Sequence, residues 1–268
     1  MKMTKLSRMK SRLLFSILFL IAGCGFTSGS YKDIIKAQEH INEREYKEAV
    51  SLYKSILLRR PSKTIEIKIS YQLAEINYLY LNKYQDAVDY YTRVTSITDD
   101  PLWQTKALEK IGLITFENLK DYKSSRRAYT KLKNFIPRLE NQDFYNLRFA
   151  LTYFNEQNYS KASEYLKEII IEDKSKYITD AFYNIGLINF YKRKWETAVS
   201  YWFEYLKREK RKDKIVQIKF LIANAYESGE KLKEAYNVYY SIISSYPNPE
   251  VIKSRLNSLY QRRVARKR

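Results

Sequence analysis

"DAFYNIGLINFYKRKWETAVSYWFEYLK", residues 180–207, decides the fold. Phe182, Ile185 and Gly186 stand at helical spacing, and after a short basic stretch Trp195, Ala198, Trp202 and Tyr205 do so again. Ala198 follows Gly186 by 12 residues. Two helices joined by a tight turn account for that interval. The small residues let the two backbones approach closely, and the large side chains fill the space beside them.

The same pattern runs along most of the chain. The small slot of the second helix recurs as Ala49, Ala87, Ser125, Ala162, Ala198 and Ala235, at intervals of 38, 38, 37, 36 and 37 residues. Upstream of each, by 12 or 13 residues, stand Ala37, Ala74, Gly112, Ala150, Gly186 and Ala223. Four residues after each small slot comes a large one: Tyr53, Tyr91, Tyr129, Leu166, Trp202 and Tyr239. The prolines, at 61, 101, 137, 247 and 249, fall only where a second helix should stop. A proline inside a helix costs about 3 kcal/mol, so their placement agrees with the helical reading.

This pattern resembles the tetratricopeptide repeat (TPR), and 180–207 carries the closest match. The resemblance implies an all-α protein, a right-handed superhelical solenoid of about six TPR-like helix-turn-helix repeats over residues 31–249. The first copy puts Asp33 and Lys36 at normally apolar slots, as suits an end repeat with one face in water. In 250–268, Ile252, Leu256, Leu259 and Tyr260 recur at helical spacing and predict a capping helix, followed by a basic tail.

Composition speaks against an enzyme. There are only 6 glycines and 5 prolines against 26 tyrosines, a balance that favours helix over loop-built sites. One histidine, His40, and one cysteine, Cys24, exclude His-rich or Cys-rich metal sites and a Cys–His nucleophile pair within this chain. No Gly-rich phosphate loop is present. Asp99 and Asp100 precede Pro101 and read as turn residues, and His40 reads as structural. No catalytic residue, metal, cofactor or small-molecule substrate is expected.

The amino terminus reads as a secretory signal, residues 1–23: five bases, the apolar run "LLFSILFLIA" at 13–22, then small residues. Ten apolar residues rise only about 15 Å as a helix, too little to span a bilayer. Ile21-Ala22-Gly23-Cys24 resembles the lipobox of bacterial lipoproteins. That resemblance implies cleavage between Gly23 and Cys24, diacylglycerol on the Cys24 thiol, and a location in the cell envelope. Gly25, where an aspartate would signal inner-membrane retention, implies the outer membrane facing the periplasm in a Gram-negative source. Residues 24–30, "CGFTSGS", read as a lipidated flexible tether, and the step from Cys24 to Tyr31 spans at most about 25 Å.

The family's groove positions, carried over from the resemblance, are Tyr71, Tyr78, Leu113, Phe116, Leu147, Leu151, Phe154, Tyr183, Leu187, Tyr191 and Phe220. Rings and aliphatics there suit an extended segment of a partner protein. The lysine of the family's carboxylate clamp is absent, since Ile34, Tyr71, Glu109, Leu147, Tyr183 and Phe220 occupy its slot. Net charge is +19, of which the five bases before the apolar run account for five. The remaining excess concentrates at Lys207, Arg208, Lys210, Arg211 and Lys212 and at Arg262, Arg263, Arg266, Lys267 and Arg268. An anionic membrane surface is the expected partner for such patches, and export argues against nucleic acid. The expected role is a protein–protein scaffold of the envelope, resembling BamD-type outer-membrane assembly lipoproteins. A pilotin-like factor for pilus or secretion machinery, and an intracellular basic TPR adaptor, are the alternatives.

Overall fold

The computed structural model describes residues 28–172 and 175–266, so Gly23, Cys24, Lys267 and Arg268 lie outside the described residues. These residues form 13 α-helices, with no strand among them. They divide into two compact units at residues 69 and 70.

The first unit holds α1 (Ser28–Asn42), α2 (Tyr46–Leu58) and the beginning of α3 (Lys63–Leu79). Helix α1 begins three residues before Tyr31, so Ser28 to Ser30, read above as tether, belong to its first turn. Ala37 and Ala49 are both fully buried where the two helices meet, with Tyr53 and Ile56 beside them. Arg59 Nη1 reaches Asp33 Oδ2 at 2.6 Å and ties the end of α2 to α1. Asp33, out of place for an apolar slot, has this partner as its reason.

The second unit continues with α4 (Tyr84–Ile97), α5 (Pro101–Glu117), α6 (Tyr122–Lys133), α7 (Gln142–Asn155), α8 (Tyr159–Ile171), α9 (Ile178–Tyr191), α10 (Trp195–Leu206), α11 (Lys212–Ser228), α12 (Leu232–Tyr240) and α13 (Pro249–Ala265). From α4 on, each helix packs against the next, so the hairpins stack in chain order. This is the TPR-like solenoid fold that the repeat spacing predicts. Helix α13 buries Ile252, Leu256 and Leu259 against Tyr239 and Ile242. Tyr260, expected on the same face, is 57% exposed, because Leu259 already fills the inward position.

Glycine-poor turns join the two helices of each hairpin. Arg44, Asn82, Lys120, Gln157, Arg193 and Glu230 all have φ between 54° and 66°, the left-handed region. For residues other than glycine this region costs roughly 1–2 kcal/mol. The turns offset it with backbone bonds that close the preceding helix: Glu45 N–H to His40 O at 2.8 Å, Lys194 N–H to Asn189 O at 2.9 Å, Lys231 N–H to Tyr226 O at 2.8 Å. Connections from one hairpin to the next are more varied. Asp100 caps α5 by accepting from Leu102 N at 2.8 Å, and Pro101 opens that helix, which is the turn role its sequence position implies.

The helix crossings are tight. A Cβ placed on Gly186 would stand 2.2 Å from Trp202 Nε1, and one on Gly112 2.8 Å from Tyr129 Cζ. Trp202 and Tyr129 are essentially fully buried and have no free space into which to retreat. Ser125, a small slot that is not alanine, donates its hydroxyl to Gly112 O at 3.0 Å across the same crossing. Gly186→Ala should therefore push the α9–α10 hairpin apart and lower stability by about 1–3 kcal/mol. Gly112→Ala should have a smaller effect, because its closest contact is longer. Thermal unfolding followed by circular dichroism checks both; unchanged midpoints for Gly186→Ala would contradict the crossing.

Candidate functional site

In the second unit the first helices of the hairpins (α5, α7, α9, α11 and the part of α3 from residue 70) share one face. The large side chains of the second helices pass beneath them, and their polar tips emerge on that face. Burying a phenol or indole without a partner costs free energy, so each tip needs an acceptor. Tyr91 donates to Glu75, which also takes Lys110 Nζ at 2.9 Å. Trp202 Nε1 donates to Tyr183 O at 3.2 Å. Tyr239 Oη lies 2.5 Å from Asn224 Oδ1 and 3.1 Å from Glu227 Oε2. Between neighbouring hairpins, Tyr145 donates to Glu109 Oε1 at 2.5 Å.

The acceptors Glu75, Glu109, Asn224 and Glu227 were not singled out by sequence reading. The signal for them was present: an acid or amide one or four after, or three before, the small slot, in register with a tyrosine. Burial first, and then the adjacent carboxylates, hold the Tyr91, Tyr145 and Tyr239 phenols well above their ordinary range.

Of the positions carried over from the resemblance, Tyr71, Tyr78, Leu113, Leu151, Phe154, Tyr183, Leu187 and Phe220 are half-buried and Tyr191 is 54% exposed. Tyr71 packs edge-on against Tyr91 and Trp103, at 5.3 and 5.4 Å between centroids. Tyr78 lies beneath Lys110 Nζ, 5.6 Å from its centroid. Phe154, Tyr159 and Tyr191 form one aromatic group with centroids 5.8 to 6.2 Å apart.

Two of the expected positions are not surface. Phe116 is only 7% exposed, because the Arg148 guanidinium lies 4.0 Å over its ring while bonding Glu117 Oε1 at 2.6 Å. Leu147 is 6% exposed and belongs to the core formed by Ala150, Ala162, Leu166 and Ile185.

The face carries a cavity of about 410 Å³ between α9 and α11. It is lined by Asp180, Tyr183, Tyr205, Arg211, Lys214, Gln217, Ile218, Phe220, Leu221 and Tyr246. Its walls are two ring pairs: Tyr183 with Tyr205 at 6.1 Å, and Phe220 stacked on Tyr246 at 4.8 Å. Arg211 is held by Glu209 through Nη2 at 2.8 Å and Nε at 3.1 Å, whereas Lys214 bonds the neutral Gln217 at 3.3 Å among the described residues. Thus two residues from the groove and one from the first basic cluster, distant in sequence, meet at one cavity.

The family models for "Tetratricopeptide repeat" match residues 70–102 and 219–249. The chain therefore carries tetratricopeptide repeats. Among solved structures, the chain is similar to "PilW, widely conserved type IV pilus biogenesis factor", at 17% identity and a TM-score of 0.53, covering 88% of this chain and all of that one. It is similar to the apo form of RapI at 16% identity and a TM-score of 0.53, covering 89% of this chain and 76% of that one. Pseudomonas aeruginosa PilF follows at 11% identity and a TM-score of 0.50, covering 84% and 96%. At such identities these likenesses concern the fold. No protein of curated function matches the sequence. Repeats of this kind serve as protein-binding scaffolds.

The basic clusters are partly neutralised. Lys207 and Arg208 share Glu204, with Arg208 Nη1 3.0 Å from its Oε2. Arg262 pairs with Glu227 at 3.3 Å and Glu230 at 2.8 Å, Arg266 pairs with Glu230, and Arg263 lies 5.9 Å over the Tyr236 ring. Lys210 and Lys212 have no carboxylate partner among the described residues. One trio with metal-ligand chemistry exists among the described residues, His40, Glu43 and Glu45, with ligand atoms within 4.8 Å of one another. It joins the half-buried His40 in the last turn of α1 to the exposed turn that follows, and His40 Nδ1 and Glu45 Oε2 at 2.5 Å already satisfy each other.

The buried phenols give a pH dependence with a defined sign. Burial pushes Tyr53 up to about 12, from an ordinary value near 10. A phenol whose folded pKa is raised supports the fold fully below pH ~10, and the support is lost as pH rises toward the folded value. Unfolding free energy should thus be flat through neutral pH and fall between about pH 10 and 12. Ultraviolet difference absorbance should show Tyr53, Tyr91 and Tyr239 ionising together with unfolding rather than before it.

Proposed function

We propose that this chain is an envelope lipoprotein that holds a partner protein along the first-helix face of its second unit. The observation that carries the binding reading is the ring-walled cavity between α9 and α11, bordered by Lys214 and Arg211. It offers an apolar slot for an inserted side chain with hydrogen-bonding groups at its rim, a combination that anchors extended protein segments. Tyr71, Tyr183 and Phe220 extend the same chemistry along the unit. Acylation of Cys24 supplies the membrane link, on the strength of Ile21-Ala22-Gly23-Cys24 and the short tether. In a Gram-negative cell this places the protein on the periplasmic side of the outer membrane.

Two machines suit such a scaffold: a complex that inserts outer-membrane β-barrels, as the BamD-type resemblance suggests, and a pilus or secretion assembly. The fold likeness to PilW, described as a type IV pilus biogenesis factor, supports the second. Photo-crosslinking from position 183 or 220 in intact cells, with acyl labelling of the same protein, tests the reading. We expect acyl label that disappears in Cys24→Ser, and one membrane-resident partner captured from 183 and 220 but not from Gln157. A β-barrel as that partner favours insertion, and a secretin favours the pilus role. Label retained by Cys24→Ser removes the anchor, and no capture from either groove position removes the binding face.

A further inference from the structure

We infer that the edge of the second unit formed by its hairpin-to-hairpin connections rests on an anionic phospholipid surface. In a stack of helical hairpins, every intra-hairpin turn lies at one edge and every connection between hairpins at the other. Among the described residues the most exposed large apolar side chain is Ile136, at 91%, and Ile171 follows in this unit at 80%. Tyr240 is 63% and Leu102 58% exposed. All four belong to the connection edge: Ile136 lies between α6 and α7, Ile171 and Tyr240 end α8 and α12, and Leu102 stands in the first turn of α5. The first unit repeats the arrangement on its own, with Leu58 ending α2 at 85% exposure.

The turn edge differs in kind. Its tips are Asn82-Lys83, Lys120-Asp121, Gln157-Asn158, Arg193-Lys194 and Glu230-Lys231. Its most exposed ring, Tyr191, stacks on Tyr159 at 5.8 Å and so has a neighbour to cover it. A fully exposed isoleucine contributes nothing to the core, and single exposed apolar residues need no explanation. Recurrence at one place in successive hairpins does need one.

The form of the edge selects the partner. A protein interface requires a continuous apolar centre that excludes water. Here the tips come from separate connections and have polar neighbours, Asn134 and Arg138 around Ile136 and Glu172 after Ile171, so each needs its own apolar surroundings. The boundary between headgroups and acyl chains provides that to every tip separately. The same edge also carries the connection from α10 to α11, where Lys210 and Lys212 lack carboxylate partners among the described residues. Cations beside exposed aliphatic tips complement an anionic leaflet. The inference depends neither on the groove nor on acylation of Cys24.

A nitroxide depth measurement on the full chain decides it. In a Cys24→Ser background, single labels are placed at Ile136→Cys, Ile171→Cys or Gln157→Cys, the last on the turn edge. The protein is added to vesicles of phosphatidylcholine with and without phosphatidylglycerol, and accessibility to oxygen is compared with that to a water-soluble nickel chelate. All three positions are exposed, so the fold is retained. On anionic vesicles the labels at 136 and 171 should shift several-fold toward oxygen while 157 stays accessible to nickel. Lys207→Glu, Lys210→Glu and Lys212→Glu together should abolish the shift. Labels at 136 and 171 as open to nickel as 157 on anionic vesicles would overturn the inference, as would protection that appears only when a protein is added. Equal shifts on neutral and anionic vesicles would overturn the role of charge.

Discussion

Everything in the second unit depends on how closely the two helices of a hairpin can approach. Gly186 against Trp202 sets the limit: the indole occupies the space a methyl group would need. The same contact recurs with Gly112 and Tyr129, and with fully buried alanines at the other crossings. Close approach gains dispersion contacts along both helices, and it fixes the phase of the second helix, so its next large residue must point beneath the first. The regular stacking follows from that phase.

A packing rule of this kind creates a polar rule. A tyrosine or tryptophan long enough to fill the crossing carries its hydroxyl or N–H through to the opposite face, where it must be satisfied. Glu75, Glu227, Asn224 and the Tyr183 carbonyl meet that need. The fourth hairpin of the chain supplies the contrast. Leu166 has no polar tip, and the position three before its small slot is Leu147, buried in an all-apolar cluster. Acids or an amide on the first-helix face accompany the Tyr91 and Tyr239 crossings, a backbone carbonyl serves Trp202, and the aliphatic crossing comes with an aliphatic neighbour. Part of what looks like binding-face chemistry is owed to the core.

That distinction explains what was legible in the sequence. Slot spacing is a property within one hairpin, so the helices, their crossings, the prolines at the connections and the inward residues of α13 could be read directly. Contacts between hairpins depend on the angle at which one stacks on the next, which spacing alone does not encode. Arg148, two residues before Ala150, covers Phe116 of the preceding hairpin, and nothing in its local pattern marks it as a lid. The cavity between α9 and α11 likewise draws Tyr246 from a connection some 26 residues after Phe220. The turns were hidden for a different reason: Arg44, Lys120, Arg193 and Glu230 hold left-handed backbone without the glycine or asparagine that usually announces it.

The division of labour between the ends of the helices completes the account. Stability in such a stack comes from lateral packing, so a last residue that points past the end of its second helix, as Ile171 and Tyr240 do, contributes little to the core, whereas Leu206 at the end of α10 packs into it. The turn edge is not free in the same way, because it must close one helix and start the next within three or four residues, with a left-handed residue among them. The connections carry no such restriction and vary in length and composition. Side chains at the connection edge can therefore change at small cost to folding where they face water, and the exposed Ile136, Ile171 and Tyr240 answer to what lies outside the chain rather than to the core. The first-helix face is under both demands at once, since its rings and acids serve the core beneath them as well as any partner above.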